Sequence, residues 1–229
     1  MIKIFLILVV VNIKILFADQ VVLVLTDELN SSIGKLYCFE DGKKVFPTIS
    51  VNLGRNGLAW SEDDKYFLHG TSEPIKHEGD GRSPAGVFSL ISAFGYDEQN
   101  FLFPYTKSSS QLICVDDVNS TLYNSIVILP LIKPNSFEYM KRDDIQYKLG
   151  VIVAYNPLQK KGNGSCIFLH VEKEPFHPTA GCTSMKYDDI KNILEWLNSS
   201  KNPILIQIPK SYFTPKIAKQ YNIPYFVSN

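Results

Sequence analysis

Short runs of apolar and β-branched residues recur along the chain after residue 20, each closed by Gly, Pro, Asn or Asp. They are VVLVL (21–25), KLYCFE (35–40), KVFPTISV (44–51), GVFSLISAF (86–94), NSIVIL (124–129), GVIVAYN (150–156), CIFLHV (166–171) and PILIQI (203–208). Runs of this length and composition read as strands, and their number predicts a mainly β sandwich or barrel. A single stretch breaks the pattern. In DDIKNILEWLNSS the apolar positions Ile190, Ile193, Leu194 and Leu197 follow the i, i+3, i+4, i+7 spacing of one helical face. Asp188 and Asp189 stand in its first turn, where the helix dipole favours negative charge. A weaker helical pattern covers PKIAKQYN (215–222).

The N-terminus has a different texture. Lys3 precedes an apolar run from Ile4 to Ile13, and Leu16-Phe17-Ala18 ends in a small residue before Asp19. This is the layout of a cleaved secretory signal over 1–18; an uncleaved membrane anchor is the alternative, although the run is short for a bilayer span. The expected organisation is then a signal at 1–18, one catalytic domain over 19–209 and a C-terminal tail over 210–229. Export makes disulfides possible, and Cys38, Cys114, Cys166 and Cys182 allow three pairings.

Composition narrows the partners. Of 229 residues 45% are hydrophobic, enough for a real core. Twenty-three basic residues balance 23 acidic ones, so no net field recruits nucleic acid. Neither a CxxC pair nor HExxH occurs, which argues against zinc sites of those kinds.

The chemistry concentrates in CIFLHVEKEPFHPTAGCTSM (166–185). A cysteine acts as a nucleophile only as thiolate and needs a base within reach. His170 ends an apolar strand, and Pro175, Pro178 and Gly181 punctuate the loop that leads on to Cys182. A loop of that length can return beside the strand and bring thiol and imidazole together. Gly181 is expected to let the backbone bend at Cys182, exposing its sulfur and freeing main-chain N–H groups to hold an oxyanion. Spacing alone leaves Cys182 open as nucleophile, buried filler or disulfide partner, a Cys166–Cys182 bridge included. His177 is an alternative base.

Four segments together resemble the L,D-transpeptidase catalytic domain family, also called the YkuD domain. Phe168-Leu169-His170 and Thr179-Ala180-Gly181-Cys182, followed by the helix, are similar to the family's active-site region. EGDGRSPAGVFSL (78–90) resembles its Gly-Asp-Gly-x-Thr/Ser-Pro-x-Gly-x-Phe segment. CVDDVNSTLYNSIV (114–127) and RDDIQYKLGVIVAYN (142–156) are similar to segments that precede the active site in an exported bacterial subgroup. The resemblance implies an L,D-transpeptidase-like β-sandwich or barrel with one amphipathic helix after the catalytic cysteine. It implies Cys182 as nucleophile, His170 as base and Gly181 at the oxyanion site, with a main-chain carbonyl orienting the imidazole. Thr179, Thr183 and Arg82 are the expected substrate-binding residues, while Asp116 and Asp117 cap a turn. Peptidoglycan stem peptides are the implied partners, the periplasm or cell envelope the implied location, and no cofactor is required. Two positions depart from the best-known members. Ala180 stands where they have a second histidine, and Thr183-Ser184-Met185 stands where Asn or Arg soon follows the cysteine. Trimming of stems by an L,D-carboxypeptidase therefore competes with cross-linking as the outcome.

Overall fold

In the computed structural model, residues 19–226 are described; the expected signal over 1–18 lies outside them. The strands are β1 (Gln20–Thr26), β2 (Ile33–Glu40), β3 (Lys43–Lys44), β4 (Ile49–Asn52), β5 (Leu58–Trp60), β6 (Ser83–Gly95) and β7 (Tyr105–Lys107). There follow β8 (Leu112–Val115), β9 (Ile126–Ile128), β10 (Phe137–Tyr139), β11 (Leu149–Val153), β12 (Phe168–Val171), β13 (Thr183–Met185) and β14 (Ile204–Pro209). Among the described residues there are two α-helices, α1 (Tyr187–Trp196) and α2 (Pro215–Gln220), and two single-turn 3-10 helices, Ser199–Lys201 and Lys210–Tyr212.

Hydrogen bonding runs β1-β14-β6-β11-β12-β13-β4-β2, and β2 pairs back onto β1. The ring is a closed barrel, which leaves its member strands without free edges. Two of its joints are parallel, β1 with β14 and β12 with β13, and the rest are antiparallel. Strand β3 extends β2, and β5 and β7 flank β6. A separate three-stranded sheet, β10-β8-β9, stands apart from the ring. The mainly β expectation with one prominent helix describes this architecture.

Local chemistry explains where strands begin and stop. The run 44–51 is not one strand but β3 and β4, separated around Pro47, which has no N–H to give a ladder. Strand β12 starts at Phe168 and not at Cys166, because Cys166 turns left-handed with φ 54°. Strands β5, β7, β8, β10 and β13 carry no strong sequence signal; each is only three or four residues long and is strand by virtue of its neighbour.

Helix α1 buries Ile190, Ile193 and Leu194, with Leu197 just beyond its end, and packs on β11 and β12. It thereby backs the strand that carries His170. The segment after Pro209 does not trail away as a tail. Thr214 caps α2 by accepting from the Ile217 N–H at 3.3 Å, with Pro215 in the first turn. Phe213, Ile217, Ala218 and Ile223 are buried in the same core as β1, and the Phe226 ring lies 4.8 Å from that of Tyr37. The boundary expected at 209 falls inside one hydrophobic core. Among the described residues no helix is long and apolar enough to cross a membrane.

Candidate active site

The parallel joint between β12 and β13 brings the expected pair together. Leu169 stands opposite Thr183 and His170 opposite Ser184. One step earlier in that register Cys182 lies beside Phe168, whose N–H donates to the sulfur at 3.3 Å. Side chains two residues apart on a strand share a face, so Cys182 and His170 project from the same side of the sheet. Gly150 of β11 pairs with His170 on its other flank.

His170 is 4% exposed, and its Nδ1 lies 2.8 Å from the Val171 carbonyl. A carbonyl only accepts, so the ring proton sits on Nδ1 and Nε2 is left as a base. Burial pulls the imidazole down to about 4, against opposing help from the Val171 carbonyl. Burial likewise pushes the Cys182 thiol up to about 12, reinforced by the charge of Glu138 and opposed by the Phe168 N–H. Burial thus disfavours the charged form of both groups. In this arrangement the thiol donates to the Cys166 carbonyl at 3.4 Å.

The turn that presents Cys182 is knitted from three loops. Thr179 Oγ1 donates to the Cys182 carbonyl at 2.6 Å and accepts from the Gly181 N–H at 3.1 Å. Ser83 Oγ donates to the same carbonyl at 2.9 Å and accepts from the Gly54 N–H at 2.9 Å. Both close approaches require glycine: a Cβ on Gly54 would sit 2.4 Å from the Gly81 carbonyl oxygen, and one on Gly181 would sit 3.0 Å from that of Arg82. Asp80 shapes the adjoining Gly-Asp-Gly turn by accepting from the His77 and Arg82 N–H groups at 2.9 Å and from Lys76 Nζ at 2.8 Å. Lys76 is 3% exposed, and a buried ammonium is tolerated only with such a partner.

Three expected substrate-binding side chains are thus committed elsewhere. Thr179 closes its own turn. Thr183 is buried and donates to Gln207 Oε1 at 2.7 Å, beneath the sheet. The Arg82 guanidinium donates to the Leu58 carbonyl at 2.9 Å and to Asn30 Oδ1 at 3.0 Å. His177 stays on its loop, 3.2 Å from Glu174. Asp117 does cap a turn, accepting from the Asn119 and Asn135 N–H groups at 2.9 Å.

Cys182 is a free thiol, as is Cys38, and the disulfide joins Cys114 to Cys166. The Cys166–Cys182 bridge is excluded. The observed bond ties β8 of the three-stranded sheet to the strand entering the site. Cys114, Cys166, Phe168, Tyr147 and Cys182 form one buried cluster.

Several neighbours carry no sequence signal of their own. Tyr147 packs edge-on to His170 with ring centroids 5.4 Å apart, and its hydroxyl donates to Glu138 on β10. Burial raises the Glu138 carboxyl, with the Tyr147 hydrogen bond opposing. Arg142 lies 5.1 Å above the Tyr147 ring and is held by Asp144 through Nε and Nη2. Tyr147, Arg142 and Asp144 do fall in the 142–156 segment that carried part of the resemblance, but nothing in their spacing points to a cysteine 35 to 40 residues downstream.

A buried cysteine beside a histidine whose Nε2 is freed by a carbonyl, on the rim of a closed β-barrel, is the equipment of a cysteine acyl-transfer domain. The family is settled by comparison: the YkuD model, the L,D-transpeptidase catalytic domain, matches residues 28–206, and the chain belongs to that family. It is accordingly a catalytic domain of the kind that acts on peptidoglycan. No curated protein and no solved structure gave a significant match.

Proposed function

We propose that the protein is an exported L,D-transpeptidase of the bacterial cell envelope that works on stem peptides through an acyl-thioester on Cys182. The observation that carries this reading is the parallel joint of β12 and β13, which sets the thiol and the imidazole on one face. His170 Nε2 takes the thiol proton as the sulfur attacks the carbonyl of an L-residue followed by a terminal D-residue. A C–S bond forms, the C–N bond breaks, and the imidazolium returns its proton to the departing D-amino acid. An amine from a second stem then displaces the sulfur to give a cross-link.

Burial disfavours the charged form of each group, which favours transfer of the thiol proton to His170 in step with attack. The Gly181 N–H is bonded to Thr179, so the Cys182 N–H is the donor of this turn best left for the developing oxyanion. The Val171 carbonyl orients the ring and favours the imidazolium during the step.

Hydrolysis of the same thioester, which would make the protein an L,D-carboxypeptidase, is favoured by one observation. Thr183 and Ser184 are both buried, so no polar side chain directly after the cysteine helps to position an incoming amine. Incubation with tetrapeptide muropeptides and excess acceptor stem, analysed by mass, decides the matter. Cross-linked dimer is the transpeptidase product; shortened monomer alone at every acceptor concentration makes the protein a carboxypeptidase. No product of either kind would leave a peptidoglycan-binding module without catalysis.

A further inference from the structure

The segment between β10 and β11 presents a guanidinium, across the Tyr147 ring from His170, with three of its five N–H groups unused. Arg142 gives Nε and Nη2 to Asp144 at 2.9–3.2 Å. Nη1 has no acceptor among the described residues. A guanidinium carries five N–H groups in a planar fork, and the edge formed by Nη1 and the second Nη2 hydrogen matches a carboxylate bidentately.

That edge is fixed in direction before any ligand arrives. Asp144 is itself held by the Gln146 N–H at 3.0 Å and the Gln146 side-chain amide at 2.7 Å. The Arg142 N–H donates to Tyr96 Oη at 3.1 Å, and the guanidinium rests on the buried Tyr147 ring. Two ring spacings, 5.1 Å and 5.4 Å, lead from the guanidinium across Tyr147 to His170. In a peptide under attack at its last bond, the terminal carboxylate carbon lies about 4 Å from the reacting carbonyl carbon. Those spacings put the guanidinium carbon no more than about 10.5 Å from the imidazole centre, within reach of a terminal residue whose carboxylate contacts the fork. The Arg142 side chain is 37% exposed and lines an open cleft of about 850 Å³ with Phe137, Glu138, Tyr139, Lys141 and Asp143.

Resting on the stem-peptide reading above, we propose that Arg142 is the recognition residue for the free α-carboxylate of the terminal D-residue, and that the protein selects stems ending in an unblocked acid. Asp144 and Tyr147 are positioning residues that aim the fork.

The test compares a stem tetrapeptide with a free C-terminus against the same peptide as its C-terminal amide. Binding to the Cys182→Ala protein and turnover by the intact enzyme are both measured. Wild type should prefer the acid by about tenfold to a hundredfold, and Arg142→Gln should reduce that preference to about unity while binding of the amide is kept. Arg142→Lys, which keeps the charge but loses the fork, should recover only part of it. Equal binding of acid and amide by the unaltered fork, or an unchanged preference in Arg142→Gln, overturns the proposal while turnover leaves the catalytic reading standing. Binding with the expected discrimination but no turnover supports the carboxylate site and overturns the catalytic reading. Absence of binding by either peptide overturns the proposal. Unchanged far-UV circular dichroism and melting temperature identify the Arg142 variants as folded.

Discussion

The barrel and the three-stranded sheet beside it are held by different means. In the barrel every member strand is paired on both sides, and β1 is buried along its whole length. Its stability is distributed over many apolar contacts. The β10-β8-β9 sheet has two open edges, β9 and β10, and leaves Ile128, Leu131, Ile132 and Tyr139 exposed. It is fastened along one strand, the buried β8, and by specific ties that include the Cys114–Cys166 disulfide, the Tyr147 hydroxyl on Glu138, the Tyr123 hydroxyl on Glu78 at 2.5 Å, and the Asn124 amide on the Tyr155 and Asn156 carbonyls at 2.9 Å. The difference separates two tasks. The barrel fixes Cys182 and His170, the proposed nucleophile and base; the fastened sheet and the segment after it bring Tyr147 against His170, with Glu138 and Arg142 on Tyr147. Damage to the first should act on chemistry and damage to the second on local order.

The comparison breaks most sharply at the nucleophile. Cys182→Ala should bring turnover to background with the fold kept, because the lost sulfur leaves only a small cavity, of about 1 kcal/mol. Activity at the wild-type rate would sink the mechanism. Next comes the base. His170→Ala should lower kcat/KM by about two orders of magnitude or more, while His177→Ala, on an outer loop, should remain near wild type; the reverse result would reassign the base.

The fastening is tested by Cys114→Ser with Cys166→Ser. The bridge closes a sequence separation of 52 residues, and its loss should cost about 2–4 kcal/mol. Amide hydrogen exchange should rise over 112–139 before it rises in the barrel; uniform exchange would show that the two regions unfold as one.

A smaller effect follows from His170. Its folded pKa, about 4, lies below the ordinary value of 6.5. The unfolded chain therefore binds the proton more readily, and the stability held above about pH 6.5 is lost as pH falls toward 4, by at most about 3 kcal/mol. Urea melts at intervals across this range, with His170→Gln as the reference, measure that contribution, and parallel curves for the two proteins would refute it. Least affected should be Leu131→Ser with Ile132→Ser on the exposed connection after β9, within about 0.5 kcal/mol of wild type. A large loss there would mean that this surface is buried by something in solution.

Much of the scaffold was legible along the chain because its signals are local. The long strands β1, β2, β6 and β14 carry their own alternation or apolar runs, and α1 carries its period. The pairing of His170 with Cys182 on one face was legible through the order of segments around them, with the histidine closing a strand and the glycine set before the cysteine. What pattern alone could not decide is anything that depends on a partner remote in sequence. Thr183 and Arg82 read as available polar groups, yet Gln207, Leu58 and Asn30 claim them, since a polar group entering the interior must take whatever partner the fold brings near. Four cysteines left three pairings open, and only the approach of β8 to the turn before β12 selected Cys114 with Cys166. Arg142 and Tyr147 stood in a segment that carried part of the resemblance, with no role attached to either. Their position against His170 exists because Tyr147 is buried beneath the β10–β11 segment, and packing of that kind is set by the whole three-dimensional enclosure, not by any spacing that a linear chain displays.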